Sequence, residues 1–202
     1  MEIITTALDG VVEIRPPRHG DDRGWFSEVY KRHALRDAGI DIEFVQDNES
    51  FSAPVGTLRG LHYQLAPHAQ DKLIRVIHGS ILDVVVDIRR GSATFGQHAT
   101  VTLTAEAGNQ LLVPAGFAHG FCTLEPDVHV AYKVSDVYAP DCERSIRWDD
   151  ADLAIDWQLP PGARRCRTRT WSPRPSPINP ASSEVRAEPE RDLGDLSPAI
   201  RD

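Results

Sequence analysis

Five side chains able to move or hold a proton lie inside runs that otherwise read as sheet core. His62 stands in Leu58-Arg59-Gly60-Leu61-His62-Tyr63-Gln64. Lys72 follows ten residues later. Asp83 interrupts Ile81-Leu82-Asp83-Val84-Val85-Val86-Asp87-Ile88, His119 follows Pro114-Ala115-Gly116-Phe117-Ala118, and Tyr132 sits in Val130-Ala131-Tyr132-Lys133-Val134. Burying a polar group is costly unless it is paired. An apolar scaffold that aims several such groups at one place therefore points to a reaction site. Histidine, whose ordinary pKa lies near neutrality, suits a general base there.

The elements that must carry these groups are strands. Short apolar runs at about 3–5, 11–15, 26–30, 43–46, 57–64, 73–78, 81–88, 99–104, 110–113, 120–124 and 128–134 alternate with Gly, Pro and Asp punctuation. Only residues 31–39 read as helical, with Gly39 as the stop. This pattern predicts an all-β sandwich or jelly roll. Within 81–88, Leu82, Val84, Val86 and Ile88 make one apolar face, while Asp83 shares the other with Ile81, Val85 and Asp87. Asp83 then either faces a polar cavity and pairs with Lys72 or sits at a sheet edge. Tyr132 shares parity with Val128, Val130 and Val134, so it is either sheet core with a bonded hydroxyl or a group aimed at the site. His62 and His119 each have a structural alternative as histidines bonded to their surroundings.

The chain has 202 residues, 41% hydrophobic and 26% charged, which suits one soluble domain with a sizeable core plus tails. A formal charge of −8 argues against a nucleic-acid surface. An anionic ligand would need local cations, for which Arg23, Arg59 and Lys72 are candidates. No apolar run approaches the roughly 20 residues of a membrane span, and the N-terminus lacks signal-peptide features. Three scattered cysteines suit neither a disulfide framework nor a zinc site, so a reducing cytoplasm is expected. Composition changes near Pro160: eight of 15 prolines and eight of 19 arginines fall in 160–202. The expected organisation is a domain over 1–159 and a disordered Arg/Pro-rich tail over 160–202, the alternative being an extended tail laid across the barrel.

Several motifs in order carry a family resemblance. They are Asp22-Arg23-Gly24-Trp25-Phe26-Ser27-Glu28, Val45-Gln46-Asp47-Asn48, Leu58 to Gln64, Gln70-Asp71-Lys72-Leu73, Asp83 to Arg89, Pro114 to Phe121, and Tyr132-Lys133 with Tyr138-Ala139-Pro140. Over residues 1 to about 158 the chain resembles the dTDP-4-dehydrorhamnose 3,5-epimerase family. The resemblance implies a cupin-type jelly roll, a homodimer, and neither metal nor other cofactor. It implies conversion of dTDP-4-dehydro-6-deoxy-D-glucose to dTDP-4-dehydro-L-rhamnose, a step that feeds surface polysaccharides. It also implies roles: His62 as base, Tyr132 as the donor across the sugar, and Lys72 beside the enolate oxygen; Asp83 joins this catalytic set through its reading above as a partner of Lys72. Arg23, Phe26, Glu28, Gln46, Asp47, Asn48, Arg59, His119 and Glu143 would contact the nucleotide sugar, and Tyr138 would stack on thymine. The Arg23–Glu28 segment would reach the neighbouring subunit's site; its alternative is an ordinary surface pair of Arg23 with Glu28.

A metal-dependent cupin is the rival class. Its metal motif needs two histidines on alternate strand residues. Here Gln64 follows His62 at that spacing, His68 lies in a Pro-containing loop, and His119 has no ligand partner at i+2 or i+4. An epimerase inverting only C3 or C5 would carry the same groups, and so would a silent dTDP-sugar binder.

The resemblance breaks near the C-terminus. The family carries a Leu-Ser-x-Lys-Asp signature whose aspartate orients the catalytic histidine. Here Thr168 stands where the lysine belongs and Arg169 where the aspartate belongs. Codons for Arg165 to Pro177 can be chosen so that reading one base earlier restores that signature. This suggests a frame shift between about Pro161 and Arg165, and slow turnover unless another carboxylate such as Asp83 substitutes. DNA sequence across codons 158–180 tests it.

Overall fold

The computed structural model describes residues 1–159. The expected tail, Thr168, Arg169 and the proposed frame-shift point lie outside these residues. Thirteen strands and one short helix are described. Six strands form one antiparallel sheet in the order β1 (Glu2–Thr5), β2 (Val12–Arg15), β10 (Gln110–Val113), β7 (Lys72–His78), β12 (Val128–Val134), β5 (Gln46–Ser52). Five form a second, in the order β13 (Glu143–Ser145), β6 (Leu58–Gln64), β11 (Phe117–Thr123), β8 (Ser80–Asp87), β9 (His98–Thr104). β3 (His19–Asp21) and β4 (Gly24–Phe26) make a separate hairpin. The result is the expected all-β jelly roll.

Strand alternation sorts side chains into three apolar layers. Ile74, Val76, Val128 and Val130 of the six-stranded sheet meet Ile81, Val85, Leu103 and Phe121 of the other, forming the core between the sheets. Leu82, Val84 and Val86 point the opposite way, with Leu58, Leu61 and Cys122, and are covered by Leu153 and Trp157. Trp157 is locked by its indole N–H donating to the Trp148 carbonyl at 2.7 Å. On the far face of the six-stranded sheet, Ile14, Leu73 and Leu112 are covered by Leu35 and its neighbours. Each such side chain contributes about 1.5–3 kcal/mol through burial.

α1 (Arg32–Asp37) has no side-chain cap and only Leu35 buried. A six-residue helix is marginal alone; packing of Leu35 holds it, and Gly39, at φ +86°, reverses the chain where the sequence predicted a stop. The apolar runs at 57–64, 73–78, 81–88, 99–104, 110–113 and 128–134 coincide with strands to within about two residues, an ordinary spread for element ends. Two runs are corrected. The run at 43–46 is the lead-in to β5, which begins at Gln46, and the run at 26–30 keeps only Phe26 in a strand. Phe44 and Tyr30 are apolar because they pack over the Leu35 layer, ring edge to face at 5.7 Å, not because they belong to a strand.

Candidate active site

Period-two alternation would put Arg59 and His62, three residues apart, on opposite faces of β6. The structure puts both on the inner face, because the β6–β11 register slips between His119 and Phe121. Two glycines make the slip possible. Gly60 has φ +132°, and a Cβ there would lie 2.4 Å from the Gly120 Cα; a Cβ on Gly120 would lie 2.7 Å from the Arg59 carbonyl oxygen. Such close backbone approach is open only to glycine. Leu58 and Leu61 turn outward into the Trp157 layer, while Arg59, His62 and Gln64 line the inner cleft.

The cleft holds about 300 Å³ and opens between the two sheets. The five-stranded sheet contributes Arg59, His62, Gln64, His119 and Glu143; the six-stranded sheet contributes Gln46, Asn48, Ser50, Lys72 and Tyr132. His62 and Tyr132 thus stand on the two walls of one cavity. Tyr138 lines it as well, 55% exposed, on a loop that Gln64 holds. The Gln64 amide donates to the carbonyls of His68 (2.6 Å) and Val137 (3.1 Å) and accepts from the Ala139 N–H (2.7 Å).

The electrostatics suit proton transfer. Burial lowers the pKa of His62, with Lys72 and His119 acting in the same direction and Glu143 opposing them. The ring is therefore neutral, and basic, at neutral pH. Its Nδ1 is buried with no hydrogen-bond partner among the described residues, so Nε2 is the nitrogen open to a ligand. Burial lowers Lys72 to about 8, against the attraction of Asp83 and Glu143. Tyr132 is raised by burial, so its phenol keeps its proton.

Asp83 is fully buried in β8, flanked by β11 and β9, so it is not at a sheet edge. Its hydrogen-bond partner is His119, not Lys72: both carboxylate oxygens contact His119 Nε2, at 2.9 and 3.0 Å. Lys72 acts on Asp83 only through the field. The pairing follows from sheet neighbours, since His119 and Asp83 occupy adjacent strands while Lys72 comes from the opposite sheet.

Four expected contacts do not line this cleft. Asp47 alternates away from Gln46 and Asn48 and pairs with Lys133 at 2.8 Å on the other face of β5. Arg23 binds Asp21 at 2.5 Å and Glu28 binds Lys31 at 3.1 Å, so they are not a pair with each other. Phe26 is 66% exposed at the end of the β3–β4 hairpin. Conversely, Ser50, Gln64 and Gln70 line the cleft without having been singled out. The signal for Ser50 and Gln64 was parity, with Asn48 and His62 respectively. Among the described residues no group of three or more His, Cys, Asp or Glu side chains is placed to hold a metal.

Known proteins resemble this chain in sequence and fold. The family model for dTDP-4-dehydrorhamnose 3,5-epimerase matches residues 5–176. The chain is 50% identical over 144 residues to the dTDP-4-dehydrorhamnose 3,5-epimerase of Sinorhizobium fredii, covering 71% of this chain and 74% of that one. The crystal structure of the Bacillus anthracis enzyme of the same name, with TDP and pyrophosphate bound, superposes with a TM-score of 0.77 at 47% identity, over 79% of this chain and 91% of that one. A Legionella pneumophila 3,5-epimerase in complex with dTDP-4-keto-L-rhamnose gives a TM-score of 0.78 at 44% identity, over 82% and 88%. With a jelly roll, a two-walled cleft and relatives at this level, the chain belongs to the dTDP-4-dehydrorhamnose 3,5-epimerase family.

Proposed function

We propose that this protein is a dTDP-4-dehydrorhamnose 3,5-epimerase whose base is His62 and whose acid is Tyr132. The observation that carries the assignment is their position on facing walls of one cleft, with Lys72 lining the same space. The C4 ketone of a 4-keto sugar acidifies the hydrogens on C3 and C5. His62 Nε2 takes one of these protons, and the C–H electron pair moves onto O4 as an enolate. The Lys72 ammonium stabilises that oxyanion. The Tyr132 hydroxyl then protonates the carbon from the opposite face and inverts it. Solvent restores the Tyr132 proton and accepts the one from His62. Two such rounds invert C3 and C5.

Gln46, Asn48, Arg59, His119 and Glu143 bind the nucleotide sugar in this reading, and Tyr138 stacks on the base. Arg23, Phe26 and Glu28 serve the site of a second copy. The β3–β4 hairpin favours this, since Trp25 and Phe26 are 60% and 66% exposed on it. Asp47, its carboxylate held by Lys133 on the other face of β5, makes no side-chain contact with the sugar in this reading. No helix among the described residues is long and apolar enough to cross a membrane, and a cytoplasmic enzyme is proposed.

The test is incubation with dTDP-4-dehydro-6-deoxyglucose in D₂O, read by NMR. Deuterium enters at both C3 and C5, and His62→Asn and Tyr132→Phe each slow the chemistry about 10²–10⁴-fold, the range for a positioned acid or base. Exchange at one carbon alone would make the enzyme a single-centre epimerase. Tight dTDP binding with no exchange would make it a silent binder.

A further inference from the structure

His62 Nδ1 is buried and has no hydrogen-bond partner among the described residues. A buried donor left so is costly and calls for an explanation. The nearest carboxylate oxygen among the described residues is Glu143 Oε1, at 3.7 Å. This is beyond a hydrogen bond and within reach of a small side-chain rotation. The other oxygen, Oε2, accepts the Tyr138 hydroxyl at 2.7 Å. Glu143 thus has one oxygen anchored and one aimed at the ring.

The backbone holds this arrangement. β13 pairs with β6 in the register Glu143 to Gln64 and Ser145 to His62. The Ile146 N–H donates to the Leu61 carbonyl at 2.9 Å, and the Leu61 N–H donates back at 3.3 Å. Glu143 therefore sits on the strand beside His62, one side-chain repeat away on the same face.

We propose that Glu143 is the positioning residue for His62. It fixes the tautomer with the proton on Nδ1, leaves Nε2 bare for substrate, and closes the 3.7 Å gap when the ring becomes an imidazolium. This rests on His62 being the base, and it gives Glu143 a role in the proton step beyond contact with the sugar. The groups around the ring are Arg59 on its own strand, Glu143 on β13, His119 on β11, Asp83 on β8, Lys72 on β7 and Tyr132 on β12. Of these, Glu143 favours the charged ring, while Lys72 and His119 oppose it. Asp83 is taken by His119, so among the described residues Glu143 is the carboxylate left to compensate them.

The test compares the full-length wild type with Glu143→Gln, Glu143→Asp and Tyr138→Phe. Three quantities are read: the kcat and KM of deuterium exchange, the pH profile, and the tautomer and pKa of His62 by ¹⁵N NMR. Glu143→Gln should lower kcat about 10²-fold, the lower end of what a positioned acid–base group contributes. It should shift the acid limb to lower pH and raise the population with the proton on Nε2. The dissociation constant for dTDP should change far less than kcat, because Glu143 reaches the base site only through the Tyr138 hydroxyl, and a glutamine oxygen can still accept that bond. Glu143→Asp should recover part of kcat and of the pH shift, and Tyr138→Phe should leave the His62 tautomer in place. An unchanged His62 tautomer and acid limb in Glu143→Gln, or a loss confined to KM, overturns the proposal. Failure of the base assignment is a separate result, since His62→Asn would then exchange at the wild-type rate.

Discussion

His62 and His119 face each other directly across β6 and β11, and only His119 is hydrogen-bonded to a carboxylate. Two imidazoles on neighbouring strands are thereby given different work. His119 is held by a fully buried Asp83 and is fixed in orientation. His62 keeps a nitrogen free toward the cleft and is kept neutral by its burial. One pair of strands supplies a rigid wall and a base.

The first consequence is a bell-shaped pH profile. The base must be neutral, and burial holds His62 below its ordinary 6.5, so the acid limb of exchange falls below pH 6.5. The oxyanion partner must be charged, and Lys72 titrates at about 8, so the rate declines as pH passes about 8. A kcat/KM profile for exchange in D₂O, corrected for the isotope effect on pH, checks both limbs.

Asp83 should set the alkaline limb. Its charge raises the pKa of Lys72 against burial. Asp83→Asn removes that charge while an amide can still bond to His119. The alkaline limb then moves below pH 8, and the acid limb moves less. Asp83→Ala instead leaves the His119 nitrogen without its buried acceptor and should cost about 2–3 kcal/mol of stability. Urea unfolding of the two variants separates the field effect from the lost bond.

Much of the fold was legible because most strands have one face in the sheet-to-sheet core. Ile81, Val85, Leu82 and Val86 alternate between two apolar layers, so 81–88 reads as a strand from its sequence. β5 was misplaced for a physical reason. Its inward face is Gln46, Asn48, Ser50 and Ser52, of which the first three line the cleft, so it shows no apolar alternation. Of the site, His62, Lys72 and Tyr132 were legible as polar groups in apolar runs. The Asp83–His119 bond was not, because which strands are neighbours depends on topology that spacing does not encode. Nor was the placement of Arg59 beside His62, which rests on the slip at Gly60 and Gly120.

That slip makes Gly120 a sharp test of how the cleft is built. A Cβ there meets the Arg59 carbonyl oxygen at 2.7 Å and the Gly60 Cα at 2.9 Å, both backbone. Backbone atoms cannot rotate away, so β6 and β11 must part. Gly120→Ala should lose about 1–3 kcal/mol of stability, as overpacking typically does. It should also lower exchange far more than dTDP binding, since His62 and His119 straddle the contact. Gly91→Ala is the control: its Cβ meets nothing within 4 Å. Its φ of +87° still carries a strain of about 1 kcal/mol, so thermal stability falls slightly while exchange stays intact.

Asp87 should govern acid stability away from the cleft. It is fully buried at the end of β8 and accepts bonds from Arg89 (2.8 Å), Ser92 (2.6 Å) and Thr94 (2.6 Å). Burial raises its pKa, but the bonds from Arg89, Ser92 and Thr94 outweigh it and hold the carboxyl well below the usual carboxylate range. A depressed pKa means the unfolded chain binds the proton first. The stabilisation is therefore complete above the unfolded value of 3.8 and is lost as pH falls through the lower folded value. Asp87→Ala removes the acceptor and strands donors on three residues, which should cost about 3 kcal/mol at pH 7. The gap between wild type and variant should stay constant down to about pH 4 and then narrow. Denaturant titrations at pH 7, 5, 4 and 3 measure it; a gap that is constant across all four would place the stabilising bonds elsewhere.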